Sequence, residues 1–523
     1  MKESQHSPLP SRIASLVHAH FDALPVRSKP TVHPDGSREW IPLTGIVIVR
    51  GENTPSEKLT CVAIATGAKC LPASQIPNCK GLVLHDSHAE ILALRAFNYW
   101  LLNECHGVFA CEQQTRSPPS PDISHSKQTT SPYVRRRNQG RRSGSGPPFE
   151  IQPDIKVYMY GTCAPCGDAS MELCMASQED ATPWEMTPRQ DQDKQESSIA
   201  STPSSDQLLK GRGHFSLLGI VRRKPARGDA ESTLSKSCSD KLALRQVSSL
   251  LSYETSLLVA PTENAYLAGL ILPEKEISRV GCERCFGKTG RMRNLRGRVW
   301  RGPDDEERDG FRFRPFDVLS VPSEQVEALW PFAKPDPSTS LPPTDSDSQP
   351  PKSSSKRSKP GTVSAVWAVG PSLSVPSNSL IDDNGRKFLP SLCKSPTGLF
   401  ETIVNGVKQG NRALTPLARG ASRLSRAKMW GLLRDILKPV TVEDELREAM
   451  HDSDSLLLLL PLANLVSAET YNEFKHPRLD VESVKWRQAA IRDAKEALQG
   501  WSPNIGDEAW GLEVLIDPKK RKR

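Results

Sequence analysis

Three long stretches of this sequence carry no apolar periodicity, and each falls between blocks too short to close a core alone. They run from about residue 111 to 148, from 177 to 212 and from 331 to 361, and include SPPSPDISHSKQTTSP, RRRNQGRRSGSGPP and PDPSTSLPPTDSDSQPPKSSSKRSKPG. Chain of this composition buries too little apolar surface to offset the entropy of ordering, so each reads as a disordered insertion. The stretches interrupt the folded blocks rather than separate finished units. The 523 residues therefore read as one large domain with long insertions. Two domains meeting near residue 330 are the alternative.

Inside the blocks, strand and helix patterns alternate. Ile13, Leu16, Val17, His20, Phe21 and Leu24 recur at three- and four-residue steps and predict an amphipathic helix. WIPLTGIVIVR (40–50) and KLTCVAIAT (58–66) predict β-branched strands. Residues 88–104 predict a helix with Asp86 or Ser87 as N-cap. KVYMYGT (156–162) predicts a strand that runs into APCGDASMELCM, FSLLGIVRR (215–223) another strand, and SDKLALRQVSSLL (239–251) another helix. From Thr362 to Asp517 the chain is partly helical, opening with the strand-like VSAVWAVG and including a helix near 481–499. No internal repeat is present. The alternation predicts an α/β fold, a mixed sheet flanked by helices, with a partly helical C-terminal extension. The longest apolar run, LLLLLPLANLV (456–466), is too short to span a bilayer and holds a proline, so it predicts core and no membrane partner.

The formal net charge of +8 permits a nucleic-acid partner without requiring one. The polar opening MKESQHSPLPSR has no signal-peptide pattern, so the 12 cysteines read as reduced thiols or metal ligands rather than a disulfide framework. The final PKKRKR (518–523) predicts a nuclear import signal and a nuclear location, with a share in the cytoplasm left open.

The chemistry begins at His88-Ala89-Glu90. If a helix starts there, the two side chains point about 200° apart and converge only on something placed off the helix N-terminus. Alone the pair is a weak signal. The strand KVYMYGT then leads into Pro165-Cys166-Gly167-Asp168, where a helix start would favour a thiolate at Cys166. Two strand-to-helix junctions, one with His-x-Glu and one with Pro-Cys, form the framework of the zinc-dependent nucleobase (cytidine-deaminase-like) deaminases. The second cysteine of that signature is missing, because position 169 is Ala. A catalytic zinc wants three protein ligands, and Cys163, Cys174 and Cys238 are the nearby choices. Cys174 would lie roughly 12 Å along a helix from Cys166. Cys238 opens a third predicted helix.

His88-Ala89-Glu90, Pro165-Cys166-Gly167-Asp168-Ala169 and Ser237-Cys238-Ser239-Asp240-Lys241 together resemble the adenosine deaminase (editase) domain shared by double-stranded-RNA and tRNA adenosine deaminases. TGAKC (66–70) and RRKPARGD (222–229) add to the likeness, which extends more weakly through SLCK (391–394) to Gly500-Trp501. The resemblance implies that His88, Cys166 and Cys238 hold zinc, which lowers the pKa of a water to about 7. It implies that Glu90 shuttles protons while the water attacks C6 of adenine and inosine forms. Asp86 and Lys241 are implied to link the histidine ligand to a buried inositol hexakisphosphate. The implied contacts to that polyphosphate are Arg95, Lys241, Lys394, Tyr471, Lys475, Lys485 and Trp501. Leu94 and Leu244 stand where the duplex-RNA enzymes carry basic residues, which implies a somewhat altered polyphosphate site.

No segment reads as a double-stranded-RNA-binding domain, and only one short helix precedes the catalytic block. With RRKPARGD, this favours the tRNA branch. The resemblance then implies the adenosine 3′ of the anticodon in alanine tRNA as substrate, with Lys69, Arg222, Arg223, Lys224 and Arg227 as phosphate contacts. A solvated basic face is the alternative for that cluster. RRRNQGRR adds nonspecific RNA affinity or only solubility. A free-nucleoside or cytidine deaminase would be shorter and carry P-C-x-x-C. A silent tRNA-binding pseudo-deaminase would typically lack the glutamate that stands at position 90. Another RNA substrate stays open, and a structural zinc site on Cys282-x-x-Cys285 lacks a second pair. No protein partner is expected.

Overall fold

The computed structural model describes residues 7–34, 37–116, 130–137, 146–177, 217–224, 231–302, 309–334, 359–373, 398–441, 460–478 and 481–516. In the first half of the chain the elements are α1 (Leu9–Asp22), β1 (Leu43–Arg50), β2 (Lys58–Thr66), β3 (Ala68–Cys70), β4 (Asp86–His88), α2 (Ala89–Arg116), β5 (Val134–Arg136), β6 (Phe149–Ile151), β7 (Ile155–Gly161), α3 (Met171–Ala176), α4 (Cys238–Ser248) and α5 (Tyr253–Ser256). There follow β8 (Leu267–Pro273), α6 (Arg279–Phe286), β9 (Val299–Trp300), β10 (Phe311–Arg312), β11 (Asp317–Val321), α7 (Ser323–Leu329), β12 (Ser364–Ala368), β13 (Leu399–Val404) and β14 (Val407–Lys408). The C-terminal helices are α8 (Arg426–Thr441), α9 (Leu460–Val466), α10 (Tyr471–Lys475) and α11 (Glu482–Leu498).

Eight strands form one mixed sheet in the order β11-β8-β7-β1-β2-β12-β13-β14. β7, β8 and β11 run parallel, and the other neighbours pair antiparallel. The strands after residue 330 complete the sheet begun by β1 and β2. Side chains of β1 alternate between two cores. Ile46 and Ile48 face the larger one, with α2, while Leu43, Val47 and Val49 face the smaller one, with α1. α1 meets that second face through Ile13, Ala14, Val17, His18 and Phe21. His18 is the buried histidine of α1, whereas His20 is only half-buried.

The register of β1 places the site. Leu43 pairs with Thr66 and Thr44 with Gly161, so the C-terminal ends of β2 and β7 flank the start of β1 on one side of the sheet. In open α/β sheets, such strand ends are where loops carry chemistry.

The structure departs from the sequence expectations at four places. Asp86–His88 is a short strand rather than a helix cap, so His88 ends β4 and α2 begins at Ala89. α2 continues to Arg116, past the expected end at 104, and Val134–Arg136 pairs with Phe149–Ile151, so the ends of the first expected insertion are ordered. Cys166 does not start a helix either, because a 3₁₀ turn over Asp168–Ser170 precedes the short α3. FSLLGIVRR is not a strand over its described residues: only an isolated bridge links Arg223 to Lys236. Two of its backbone donors go to carboxylates instead, Gly219 to Asp168 Oδ1 and Arg222 to Asp240 Oδ2, each at 2.9 Å, and Val221 donates to the Gln499 carbonyl. Residues 178–212, 335–358 and the tail 518–523 lie outside the described residues. The part of LLLLLPLANLV within them forms α9, with Leu462, Ala463, Leu465 and Val466 buried. No described helix is long and apolar enough to cross a membrane.

Candidate active site

Two glycines bring the site together. Gly67 follows β2 at φ +152°, and a Cβ there would stand 1.9 Å from the Ser87 carbonyl oxygen, so only glycine lets β3 pair this closely with β4. That pairing sets Cys70 opposite Asp86 and Ala68 opposite His88. Gly167, at φ +107°, lies against Ser237; a Cβ would sit 2.2 Å from its Oγ. This approach carries Cys166 onto the N-terminus of α4, where Ser237 caps the helix by accepting from the Asp240 amide.

His88, Cys166 and Cys238 converge. His88 Nδ1 lies 3.8 Å from Cys166 Sγ and 3.6 Å from Cys238 Sγ. A tetrahedral zinc with ordinary bond lengths holds sulfur and nitrogen ligands about 3.6 Å apart, so the three donors fit such an ion in kind and spacing. Neither Cys163 nor Cys174 joins this group. Burial alone would push the His88 pKa down. The Cys70 and Cys166 sulfurs outweigh burial and the Lys224 charge, and raise it to about 10. The pocket thus draws positive charge. Cys166 is held well below the usual thiol range by its hydrogen bond with Cys238 and by the Lys224 ammonium, while burial pushes Cys238 up.

Behind the donors lies Asp86, buried and bound on every side. Its Oδ1 accepts from the His88 amide at 3.0 Å and lies 3.3 Å from Cys70 Sγ. Lys224 Nζ donates to both carboxylate oxygens, at 3.1 and 2.9 Å, and lies 3.3 Å from Cys238 Sγ. Lys241 also pairs with Oδ2. Burial opposes ionisation of Asp86, but the two lysines override it and hold its pKa well down. Glu90, in the first turn of α2, is 6 % exposed, and burial raises its pKa. Burial thus makes the Glu90 carboxyl easier to protonate than an exposed one, which suits a group that must take up and give back a proton.

Two of the expected phosphate contacts are corrected. Lys224 is buried in the Asp86 pair, and Arg222 is 1 % exposed with its guanidinium on the Leu217 carbonyl. Neither reaches solvent. Arg223 is partly exposed and donates to Ser502 Oγ, and Lys69 is exposed on β3 beside the site. Arg227 and Lys394 lie outside the described residues.

A second cluster gathers where α2, α4, α8, α10 and α11 meet. Arg95, Tyr471 and Lys475 are in it, as the resemblance implied, and Arg245, Arg426 and Arg487 join them. These five cations surround Glu254, whose Oε1 accepts from Tyr471 at 3.5 Å. Burial lowers the Lys475 pKa to about 7, and burial with Arg487 and Arg95 lowers that of Arg245 to about 9. Arg245 and Arg487 spend donors on the Leu251 carbonyl, and Arg426 on His85 Nδ1. Lys485 does not join. It lies on the exposed face of α11, over the Trp486 ring, because the 3.6-residue period turns Arg487 inward instead. Trp501 stands apart, flanked by Lys236 and Lys495. The neighbours of Leu94 and Leu244 supply the charge those positions lack. Arg245, Arg426 and Arg487 carried no motif, and their only sequence signal is an arginine on the inner face of a helix.

A histidine at a strand end, a cysteine in the loop after a neighbouring strand and a second cysteine at a helix N-terminus, with a buried glutamate two residues from the histidine, define a nucleobase deaminase. The adenosine-deaminase (editase) domain matches residues 63–296, which contain all four. The chain is 36 % identical over 310 residues to tRNA-specific adenosine deaminase 1 of Schizosaccharomyces pombe, covering 59 % of this chain and 67 % of that protein. It is 32 % identical over 245 residues to the Saccharomyces cerevisiae protein of the same name, 46 % of this chain and 54 % of that one. It is 26 % identical over 246 residues to double-stranded RNA-specific editase B2 of Rattus norvegicus, of which it covers 26 %. The chain belongs to the adenosine-deaminase (editase) family and is an adenosine deaminase.

Proposed function

We propose that the protein converts adenosine to inosine in tRNA, at the adenosine 3′ of the anticodon in alanine tRNA, with zinc held by His88, Cys166 and Cys238. The convergence of three metal-ligand atoms, two of them on residues that Glu90 feels electrostatically, carries the reading, and the names of the yeast relatives support the choice of tRNA. Bound zinc supplies an acidified water near neutral pH. Glu90 takes a proton from the water that attacks C6 and returns it to N1 of adenine. It then delivers a proton to the leaving amino nitrogen, so adenosine and water become inosine and ammonia. Asp86, fixed by Lys224 and Lys241, holds the His88 backbone at the end of β4. The five-cation cluster around the single carboxylate of Glu254 fits a buried polyanion such as inositol hexakisphosphate. The basic tail from Lys519 to Arg523 serves nuclear import.

The test is inosine formation on alanine tRNA by the parent and by Glu90→Gln, with zinc measured in both. The expected result is zinc in both, inosine only with the parent, and a loss of about 10² or more in rate for the variant. Well-folded parent protein that contains zinc but deaminates no tRNA would refute the substrate assignment.

A further inference from the structure

Residues 279–301 hold eight cations against one carboxylate, Glu283, an excess of seven where the whole chain carries +8. The structure sorts six of these cations into two sets, while Arg298 pairs with Asp493 of α11. Arg284 and Arg291 turn inward: Arg284 Nε lies 3.0 Å from Asp168 Oδ2, and Arg291 NH1 lies 2.7 Å from Asp240 Oδ1. Asp168 and Asp240 each stand two residues beyond a sulfur donor of the active site, so the segment is bolted to both metal-ligand loops. Arg279, Lys288, Arg293 and Arg296 turn outward, are exposed and make no ion pair with a described residue. Arg279 and Arg293 border an open depression of about 640 Å³ whose floor includes Gly219 and Arg284.

We propose that this face docks the phosphodiester backbone of the RNA substrate at a distance from the reacting base. The proposal rests on the reading of the protein as an RNA deaminase and adds a contact surface to it. Four like charges on an anchored scaffold repel one another until a polyanion covers them, and guanidinium forks match phosphate oxygens. The surface exposes Val280 at the rim of the depression but lacks the aromatic anchors that a protein partner would use. No aromatic side chain is among the large exposed hydrophobics of the described residues, and aromatic anchors dominate protein interfaces.

The test replaces Arg279, Lys288, Arg293 and Arg296 together by glutamine. Binding of full-length alanine tRNA and of its isolated anticodon stem-loop is measured across salt concentrations, alongside deamination rates. The expected result is a Kd for full-length tRNA at least about tenfold weaker and a salt slope lower by about one per lost contact. Stem-loop binding and kcat at saturating RNA stay at parental values. Lysine at the three arginine positions, with Lys288 retained, restores the slope. Parental Kd and slope in the glutamine variant overturn the proposal, as does failure of the lysine variant to restore them. Parent protein that shows the patch-dependent slope but makes no inosine sinks the proposed reaction and leaves the docking face standing. Inosine formed equally by parent and glutamine variant, with equal Kd, does the reverse.

Discussion

Replacing Lys224 with methionine removes the cation that joins Asp86 to Cys238 while keeping much of the side-chain volume. The pair is buried, with Lys224 5 % and Asp86 5 % exposed and 2.9 Å between Nζ and Oδ2. At that distance and an effective dielectric of about 20, the gross attraction is roughly 6 kcal/mol. Desolvation takes back part of this. Removing one partner of a buried pair nevertheless costs about 3–5 kcal/mol, because the other charge is left behind. Lys241 remains on Asp86 and places the expected loss near the lower end, about 3 kcal/mol. Asp86 also holds the His88 amide, so zinc affinity falls by about 10- to 100-fold. Urea unfolding and competition with a zinc chelator read both effects. The double variant Asp86→Asn with Lys224→Met should lose less stability than the two single losses summed, since neither member of the 86–224 pair is left without the other. A Lys224→Met protein within about 0.5 kcal/mol of the parent and with parental zinc affinity would refute the buried-pair reasoning. If Lys224 instead met RNA phosphate, the variant would change only the salt slope of tRNA binding.

Gly167→Ala, at φ +107° with a Cβ 2.2 Å from Ser237 Oγ, should destabilise the protein by about 1–3 kcal/mol and lose zinc, read by thermal unfolding and metal analysis. His18 is 1 % exposed, and its ring donates to or accepts from Tyr160 Oη at 2.8 Å. Burial lowers its pKa from 6.5 to about 4, so the native state favours neutral imidazole. Its contribution is therefore complete above pH 6.5 and is lost as pH falls toward 4. Up to about 3 kcal/mol of pH-dependent stability should vanish in His18→Phe over that window. Added inositol hexakisphosphate should raise the melting temperature of protein refolded without it, and Arg245→Ala with Arg487→Ala should abolish the rise.

The order of motifs made the gathering of His88, Cys166 and Cys238 readable, because each sits in a short diagnostic string. β1, β2 and β7 were readable from β-branched runs, and α4 from its own pattern. Burial was not readable. RRKPARGD looks like a surface patch, yet Lys224 and Arg222 point inward because the segment lies under the α4 cap and answers to Asp86 and Asp240. The apolar residues just before it form no strand over the described residues, as the Gly219 and Arg222 amides bind carboxylates. His88 looked helical because local pattern ignores the partner strand that Gly67 brings to it. Lys485 and Arg487 differ only in which side of one helix they occupy.

The cation cluster bears on the order in which the chain can assemble. Its members come from residue 95 to residue 487, on five helices, with one acidic side chain at the centre. Each helix that docks brings another positive charge toward those already in place, so the electrostatic resistance is greatest for the last to be synthesised, Glu482–Leu498. An anion captured before that step lowers the final barrier more than any earlier one. Protein made without it should stall as a nearly finished fold in which the sheet and α2 resist hydrogen exchange while the amides of α11 exchange freely. The polyanion would then act as a checkpoint on completion, admitting to service only those molecules that met it while still open.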